Sequence, residues 1–221
     1  MKKASLVIFV LAALADLSSQ VMDIPVFHLV GKPLLMISLG MFYLFSMQEK
    51  KSGISYWVLG AILFSFLGDV FLMAAGDLYF MLGLVSFLGA HIAYIIAYRM
   101  HRRDEGDGLT GIQKVRYAFP FILAGTGLIT VLYPHLGELK LPVIIYASVL
   151  VIMVLTALFR YGFTSMPSFW LVFIGAFLFM VSDSLLAFNK FVTPIDYSGL
   201  WVMSTYIAAQ YFIVVGVVRH G

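Results

Sequence analysis

Two aspartates lie inside strongly apolar segments of this chain, in similar surroundings. Asp69 lies in FSFLGDVFLMA and Asp183 in LFMVSDSLLAF, and each follows a small residue. A carboxylate at the centre of a bilayer costs at least ~2.5–3.5 kcal/mol on insertion scales, so an intramembrane aspartate is a candidate functional residue by default. Two of them in matched settings predict a paired-carboxylate site inside a membrane protein, an arrangement suited to general acid–base chemistry or proton relay.

Several other polar side chains accompany these aspartates in or beside apolar segments. Lys32 lies in HLVGKPLLM, and His91 lies in SFLGAHIAYIIAY with Tyr94 on the same helix face. The ordinary interpretations are a lysine that snorkels to the interface and a histidine hydrogen-bonded in the core. The functional interpretation is that the lysine binds a phosphate or keeps a carboxylate ionised, and that the histidine binds phosphate or transfers a proton. Asn189 and Lys190 end the seventh apolar segment.

Two further features receive ordinary interpretations. Asp16 belongs to the polar tail of the first apolar segment, beside Ser18, Ser19 and Gln20. The segment HRRDEGDGLTGIQKVR, residues 101–116, is typical of a solvated cytoplasmic loop, and we assign it no chemistry.

The composition restricts the class of protein. Hydrophobic residues make up 62% of the 221 residues and charged residues 11%, against ~25% charged residues in soluble domains. The sequence contains no cysteine, which excludes disulfides, iron–sulfur clusters and thiolate metal sites. It also contains no HExxH, GxSxG or P-loop motif and no basic patch for nucleic acid. We therefore predict a multi-pass integral membrane protein with the bilayer as its surroundings.

Eight apolar segments are interpreted as membrane-spanning helices, each of which needs about 20 residues. Pro33 is placed at the start of the second helix, where its missing N–H does no harm. With both termini cytoplasmic, 11 of the 14 Lys and Arg residues fall on the inner side, as the positive-inside rule requires. We predict one all-α transmembrane domain over residues 1–221, in the cytoplasmic membrane if the chain is bacterial. The predicted helices cover residues 4–22, 33–48, 54–74, 78–98, 117–133, 141–159, 168–189 and 199–218.

The sequence also suggests a four-plus-four internal repeat. The third and seventh helices, four helices apart, share a small-Asp-x-x-Leu pattern in GDVFL and SDSLL. His91 on the fourth helix and Gln210 on the eighth lie at comparable depths. Such a repeat would place the two aspartates symmetrically across a central cleft, where many transporters bind their substrates.

Four segments together carry a family resemblance. They are Gly31-Lys32-Pro33-Leu34, Gly68-Asp69 with Leu72, FMLGLVSFLGAHIAY around His91, and Ser182-Asp183-Ser184 followed by Ala187, Lys190 and Phe191. In order and spacing they resemble the lysoplasmalogenase (YhhN) family of polytopic membrane proteins, over nearly the whole chain. The resemblance implies eight helices and hydrolysis of the vinyl-ether bond of lysoplasmalogens. The implied products are a fatty aldehyde and glycerophosphoethanolamine or glycerophosphocholine.

The two aspartates suit this implied chemistry. Protonation of the vinyl-ether β-carbon leaves an oxocarbenium ion, which needs a protonated acid and a nearby negative group. We favour Asp183 as the ionised residue, because Lys190 is seven residues away, and Asp69 as the acid. The scheme needs neither a cofactor nor a metal, and its partner is a lysophospholipid. The predicted substrate contacts are Lys32, His91, Tyr94, Asn189 and Lys190.

Other functions fit the same residues. A proton-coupled transporter could use the buried aspartate pair as a relay and would leave its lipid or solute intact. A hydrolase of another lipid ether or ester would share the acid–base groups. A structural or regulatory membrane protein would tolerate asparagine at both aspartate positions. The sequence sets neither the lipid head group nor the number of copies that assemble.

Overall fold

The computed structural model describes residues 1–22 and 24–220, and over these residues the chain forms α-helices, short 3₁₀ turns and loops. Within this described part there are eight α-helices and no β-strand. Two 3₁₀ turns, Tyr133–His135 and Gly137–Leu139, join α5 to α6. The helices are α1 (Lys2–Met22), α2 (Pro25–Lys50), α3 (Tyr56–Leu72), α4 (Asp77–Met100), α5 (Gly111–Leu132), α6 (Lys140–Leu158), α7 (Met166–Phe191) and α8 (Ser198–Val218).

Seven of the eight helices in the described residues are long and apolar enough to cross a membrane. Their outward faces carry many exposed large apolar side chains, such as Leu11, Val85 and Phe119. The chain is therefore a multi-pass integral membrane protein. The eighth helix, α3, has 17 residues, about 26 Å at 1.5 Å per residue against a hydrocarbon core of about 30 Å, so its crossing of the membrane stays a prediction. The side on which the termini lie stays a prediction.

Helix α2 begins eight residues before its predicted start. It runs from Pro25 to Lys50, and Pro33 lies inside it. The predicted start at Pro33 was wrong because Pro25 occupies the first helical turn, where proline is also favoured. Pro33 removes one intrahelical hydrogen bond without ending the helix. The longer α2 brings His28 and Lys32 onto one helix, one turn apart.

Helix α5 also begins earlier than predicted, at Gly111 instead of residue 117. A capping box fixes this start: Thr110 Oγ1 accepts from the Gln113 N–H at 3.3 Å, and Gln113 Oε1 accepts from the Thr110 N–H at 2.9 Å. Each side chain satisfies an N–H group that has no partner within the helix. Pro120, which the predicted start at residue 117 would place in the first turn, therefore lies inside α5.

The chain divides into two compact units, Met1–Ala97 and Tyr98–His220. In the first unit α1, α2 and α3 pack in sequence, with buried side chains such as Leu39, Tyr43 and Ala61 in the core. The backbone N–H of Ser55 donates to the Tyr43 hydroxyl at 2.9 Å, which ties the start of α3 to α2. The single-domain and four-plus-four repeat predictions stay predictions.

In the second unit α7 and α8 form the closest helix pair. A Cβ atom added at Gly175 would lie 2.9 Å from both the Ala209 carbonyl oxygen and the Ile213 nitrogen. These neighbours are backbone atoms, so they cannot rotate away as a side chain could. Small residues at such contacts let transmembrane helices approach closely.

We expect Gly175→Ala to destabilise the protein by about 1–3 kcal/mol, because the added methyl group overpacks this contact. Gly127→Ala is the matched control, since nothing lies within 4 Å of a Cβ at Gly127 on α5. It should be neutral or slightly stabilising. Thermal unfolding in detergent measures both, and equal midpoints for the two variants would contradict this packing.

Candidate functional site

Asp69 on α3 is paired with a lysine from α2. Lys32 Nζ lies 3.8 Å from Asp69 Oδ1. Both side chains are buried, with Asp69 1% exposed and Lys32 7% exposed. Lys32 lies inside α2 and not at its start, and its side chain is buried within the first unit. The structure therefore brings these two predicted site residues together.

Asp183 on α7 has a different partner. The Tyr146 hydroxyl on α6 donates a hydrogen bond to Asp183 Oδ2 at 2.6 Å. This length is typical of an O–H group that donates to a carboxylate. Tyr146 was missed in the sequence because it lies in an apolar stretch, LPVIIYASVLV, where a tyrosine resembles any core aromatic residue.

In both units an aspartate contacts a side chain from the preceding helix, but the chemistry of that side chain differs. In each unit the second helix supplies a donor to the aspartate of the third helix: α2 supplies Lys32, and α6 supplies Tyr146. The donor is an ammonium in one case and a neutral phenol in the other. The two aspartates therefore contact chemically different groups.

A second buried acid, Asp16 on α1, contacts α2. Asp16 is 0% exposed, and its Oδ1 lies 2.8 Å from His28 Nδ1. Gln20 Nε2 lies 3.2 Å from the same histidine nitrogen. The other carboxylate oxygen, Oδ2, is buried and has no hydrogen-bond partner among residues 1–22 and 24–220. Asp16 is thus part of a buried polar cluster, and its interpretation as a polar helix tail was wrong.

The close approach of α1 and α2 makes this contact possible. A Cβ atom at Gly31 would lie 3.1 Å from the Ala12 carbonyl oxygen and from the Asp16 nitrogen. His28 was missed because the predicted second helix began after it. Pro25 was the sequence signal that could have identified His28, because a helix that starts at Pro25 places His28 one turn before Lys32.

The remaining predicted site residues lie in varied surroundings. His91 and Tyr94 are fully buried on α4. Asn189 Oδ1 accepts a hydrogen bond from the Ile195 N–H at 2.8 Å, so this side chain fixes the segment after α7. Lys190 is exposed in the last turn of α7. Their contribution to substrate binding stays a prediction.

These features define a class: an all-helical, multi-pass membrane protein with buried acidic residues held by neighbouring helices. The YhhN family matches residues 27–217, which is most of the chain. The chain therefore belongs to the YhhN family. Asp16 lies before the matched region, whereas Lys32, Asp69, Tyr146 and Asp183 lie within it.

Several curated relatives are named lysoplasmalogenase. The chain is 30% identical over 162 residues to lysoplasmalogenase TMEM86A of Bos taurus, which covers 72% of this chain and 63% of that protein. It is 30% identical over 163 residues to a lysoplasmalogenase of Mycobacterium tuberculosis, with 72% and 59% covered. It is 34% identical over 166 residues to lysoplasmalogenase TMEM86B of Sus scrofa, with 75% and 65% covered. The chain thus spans less than two thirds of these relatives. No solved structure matches it.

We expect His28→Ala to lower the free energy of unfolding by about 3 kcal/mol, because it leaves the Asp16 carboxylate buried without its partner. This is the lower end of the range for a broken buried pair, since His28 is 31% exposed. Chemical denaturation in detergent micelles is the measurement.

The matched control is the same change in an Asp16→Asn background, where no carboxylate is left unpaired. His28→Ala should cost much less there, because the coupling between the two side chains is gone. An equal cost in both backgrounds would show that the two residues do not interact.

Proposed function

We propose that this protein hydrolyses the vinyl-ether bond of lysoplasmalogens, releasing a fatty aldehyde and glycerophosphoethanolamine or glycerophosphocholine. The observation that carries the proposal is that two aspartates on apolar helices contact different groups: the buried Asp69 contacts an ammonium, and the part-buried Asp183 contacts a phenol. The names of the relatives support the same activity.

The reaction needs a proton donor in its first step and a negatively charged group beside the cation that this step forms. The acid donates its proton to the β-carbon of the vinyl ether, and the α-carbon becomes an oxocarbenium ion. Water adds to that carbon and loses a proton, and the resulting hemiacetal collapses to aldehyde and alcohol. The oxygen that leaves takes up a proton and remains with the glycerol. Glycosidases use two carboxyl groups to stabilise an ion of the same type.

Asp69 suits the role of the ionised group. Its carboxylate lies 3.8 Å from the Lys32 ammonium, and a cation at this distance stabilises the charged form. An ionised carboxylate is the kind of group that stabilises an oxocarbenium ion and accepts the proton of the attacking water. This assignment reverses the one that the spacing of Asp183 and Lys190 favoured.

Asp183 suits the role of the acid. When it gives its proton to carbon it becomes a carboxylate, and the Tyr146 hydroxyl already donates to one of its oxygens at 2.6 Å. A hydrogen bond to the developing carboxylate strengthens as the proton leaves. An interaction that strengthens in the transition state raises the rate, which uniform binding does not do.

An apolar cavity lined in part by α7 suits the alkenyl chain. It has a volume of about 510 Å³, within the range of about 300–1,000 Å³ typical of small-molecule sites. Ser184, the residue after Asp183, is one of its lining residues. The other lining residues come from α5, α7 and the segment after α7: Ala124, Leu128, Phe177, Met180, Val181, Leu185, Phe188 and Ile195.

The lipid head group needs partners at a helix end. Lys190, in the last turn of α7, is proposed to contact the phosphate as a point charge. Lys32, His91, Tyr94 and Asn189 complete the proposed set of substrate contacts.

Asp69→Asn and Asp183→Asn should each lower aldehyde release by about 10²–10⁴-fold, the usual contribution of a general acid or base. The assay is mass spectrometry of products from 1-alkenyl lysophosphatidylethanolamine with purified, folded protein. Asp77→Asn is the matched control, because Asp77 is exposed at the start of α4, and it should keep full activity. Wild-type protein that binds this lipid and leaves it intact would overturn the hydrolase proposal and favour transport.

Tyr146→Phe should lower kcat by about 10²-fold with little change in KM, because the lost hydrogen bond acts mainly in the transition state. Tyr133→Phe, at an exposed tyrosine of the same unit, should leave both constants unchanged. Steady-state kinetics on the same substrate provide the values. A rise in KM at constant kcat would assign Tyr146 to substrate binding instead.

A further inference from the structure

The segment that follows α4 is folded against the turn that follows α6. The Arg103 N–H donates to the Phe163 carbonyl oxygen at 2.9 Å. The Arg102 guanidinium carbon lies 4.1 Å from the centroid of the Phe163 ring. Arg160 Nη2 donates to the His101 carbonyl oxygen at 3.3 Å. These contacts order the start of the segment, and most of its residues are exposed, as expected of a solvated loop.

Two glycines allow the close backbone contact that continues this packing. A Cβ atom at Gly106 would lie 2.2 Å from the Gly162 carbonyl oxygen. Gly162 itself has φ +78°, a conformation that costs glycine little and other residues more. The segment 101–108 and the turn 159–164 are therefore built to fit one another.

A cavity of about 490 Å³ lies at this junction. Three arginines from one short stretch line it, and one of them, Arg102, is held in place by the Phe163 ring. Its volume is within the usual range for a small-molecule site. The lining residues are Arg99, Met100, Arg102, Arg103, Asp104 and Phe163.

A fourth arginine, Arg160, lies in the adjoining turn and is 0% exposed. Its Nη2 donates to Ser168 Oγ at 3.1 Å, and Ser168 Oγ donates to the Gly216 carbonyl oxygen at 2.7 Å. The Nε and Nη1 atoms of Arg160 have no hydrogen-bond partner in the part of the chain that the structure describes. Burial, and to a lesser extent the charge of Arg102, lowers the pKa of Arg160 to about 10. Arg160 therefore stays charged at neutral pH.

The positive charge at this junction lacks a counter-ion within the protein. Across residues 1–22 and 24–220, no carboxylate oxygen lies within 4.0 Å of the side-chain nitrogens of these four arginines. Of the arginines that line the cavity, Arg99 and Arg103 are exposed and Arg102 is half-buried. Three neighbouring charges of one sign attract an anion, and the planar fork of arginine matches the oxygens of a phosphate.

We propose that this cavity binds a phosphate group. The cavity begins where α4, a helix long enough to span the membrane, ends at Met100. Phospholipid head groups lie at this level of a bilayer, and basic pockets at helix ends bind them. A free phosphate ion offers the same chemistry, so the two sources are separated by experiment.

This site is separate from the Asp183 site of the same unit. Ser168, which bonds to Arg160, precedes Asp183 by 15 residues on α7, a rise of about 22 Å along the helix. The proposal is therefore independent of the proposed hydrolase activity.

The test is a binding titration of the full-length, delipidated protein in detergent and phosphate-free buffer, followed by native mass spectrometry. The probes are phosphatidylglycerol, phosphatidylcholine and inorganic phosphate. The test variant is the double change Arg102→Gln and Arg103→Gln, which keeps the backbone contact of Arg103. The matched control is Lys50→Gln with Lys51→Gln, a pair of exposed basic residues at the end of α2.

Wild type and the lysine control should bind phosphatidylglycerol about tenfold or more tightly than the arginine variant, since each basic residue near an anionic lipid contributes appreciably. Competition by inorganic phosphate at millimolar concentration would identify free phosphate as the ligand, and no competition would identify the lipid. Both results support a phosphate site. Equal affinity of wild type and the arginine variant, or no binding of any probe, would overturn it.

A thermal unfolding measurement distinguishes loss of the binding site from misfolding of the variant. The bound probe should raise the thermal unfolding midpoint of wild type and of the lysine control, but not that of the arginine variant, because only a folded site is stabilised by its ligand. The midpoints without probe show whether the variant is folded. An equal rise in the arginine variant would contradict the proposal.

Discussion

Asp69 is enclosed by apolar helices, and the Lys32 ammonium 3.8 Å away is the charge that offsets its burial. Lys32 reaches this position because α2 continues through Pro33 and starts at Pro25. The same extension places His28 one turn earlier on α2, where it meets Asp16 of α1. The two buried carboxylates of the first unit thus each contact a basic side chain of α2.

The second unit differs in both respects. Its aspartate, Asp183, is part-buried and receives a hydrogen bond from the neutral Tyr146 hydroxyl, and the unit holds a buried cation, Arg160. Two aspartates with the same local sequence pattern thus contact an ammonium in one unit and a phenol in the other.

Much of this arrangement could be predicted from the sequence. Long apolar segments identified the helices, and the cost of an intramembrane charge identified Asp69 and Asp183 as unusual. The helix ends were harder to predict. Pro25 and Pro33 give the same signal for the start of α2. The capping box at Thr110 lies in a polar stretch before the apolar part of α5.

The contacts between helices could not be predicted, because they depend on the rotation of each helix. Tyr146 and His28 carry no sequence pattern that pairs them with an aspartate 37 or 12 residues away. The packing of residues 101–108 against the turn after α6 depends on two glycines far apart in sequence, Gly106 and Gly162. Composition predicts that the segment is solvated, and most of its residues are exposed, but composition carries no information on these backbone contacts.

The most direct test of the proposed vinyl-ether hydrolysis is to determine which product atoms come from water during turnover. The reaction would be run in D₂O, and separately in ¹⁸O-labelled water, with 1-alkenyl lysophosphatidylethanolamine. The account predicts one deuterium on the aldehyde carbon next to the carbonyl and no ¹⁸O in the released glycerophosphoethanolamine, because an acid protonates the β-carbon and water adds to the α-carbon. An aldehyde without deuterium at that carbon, or ¹⁸O in the glycerol product, would contradict it.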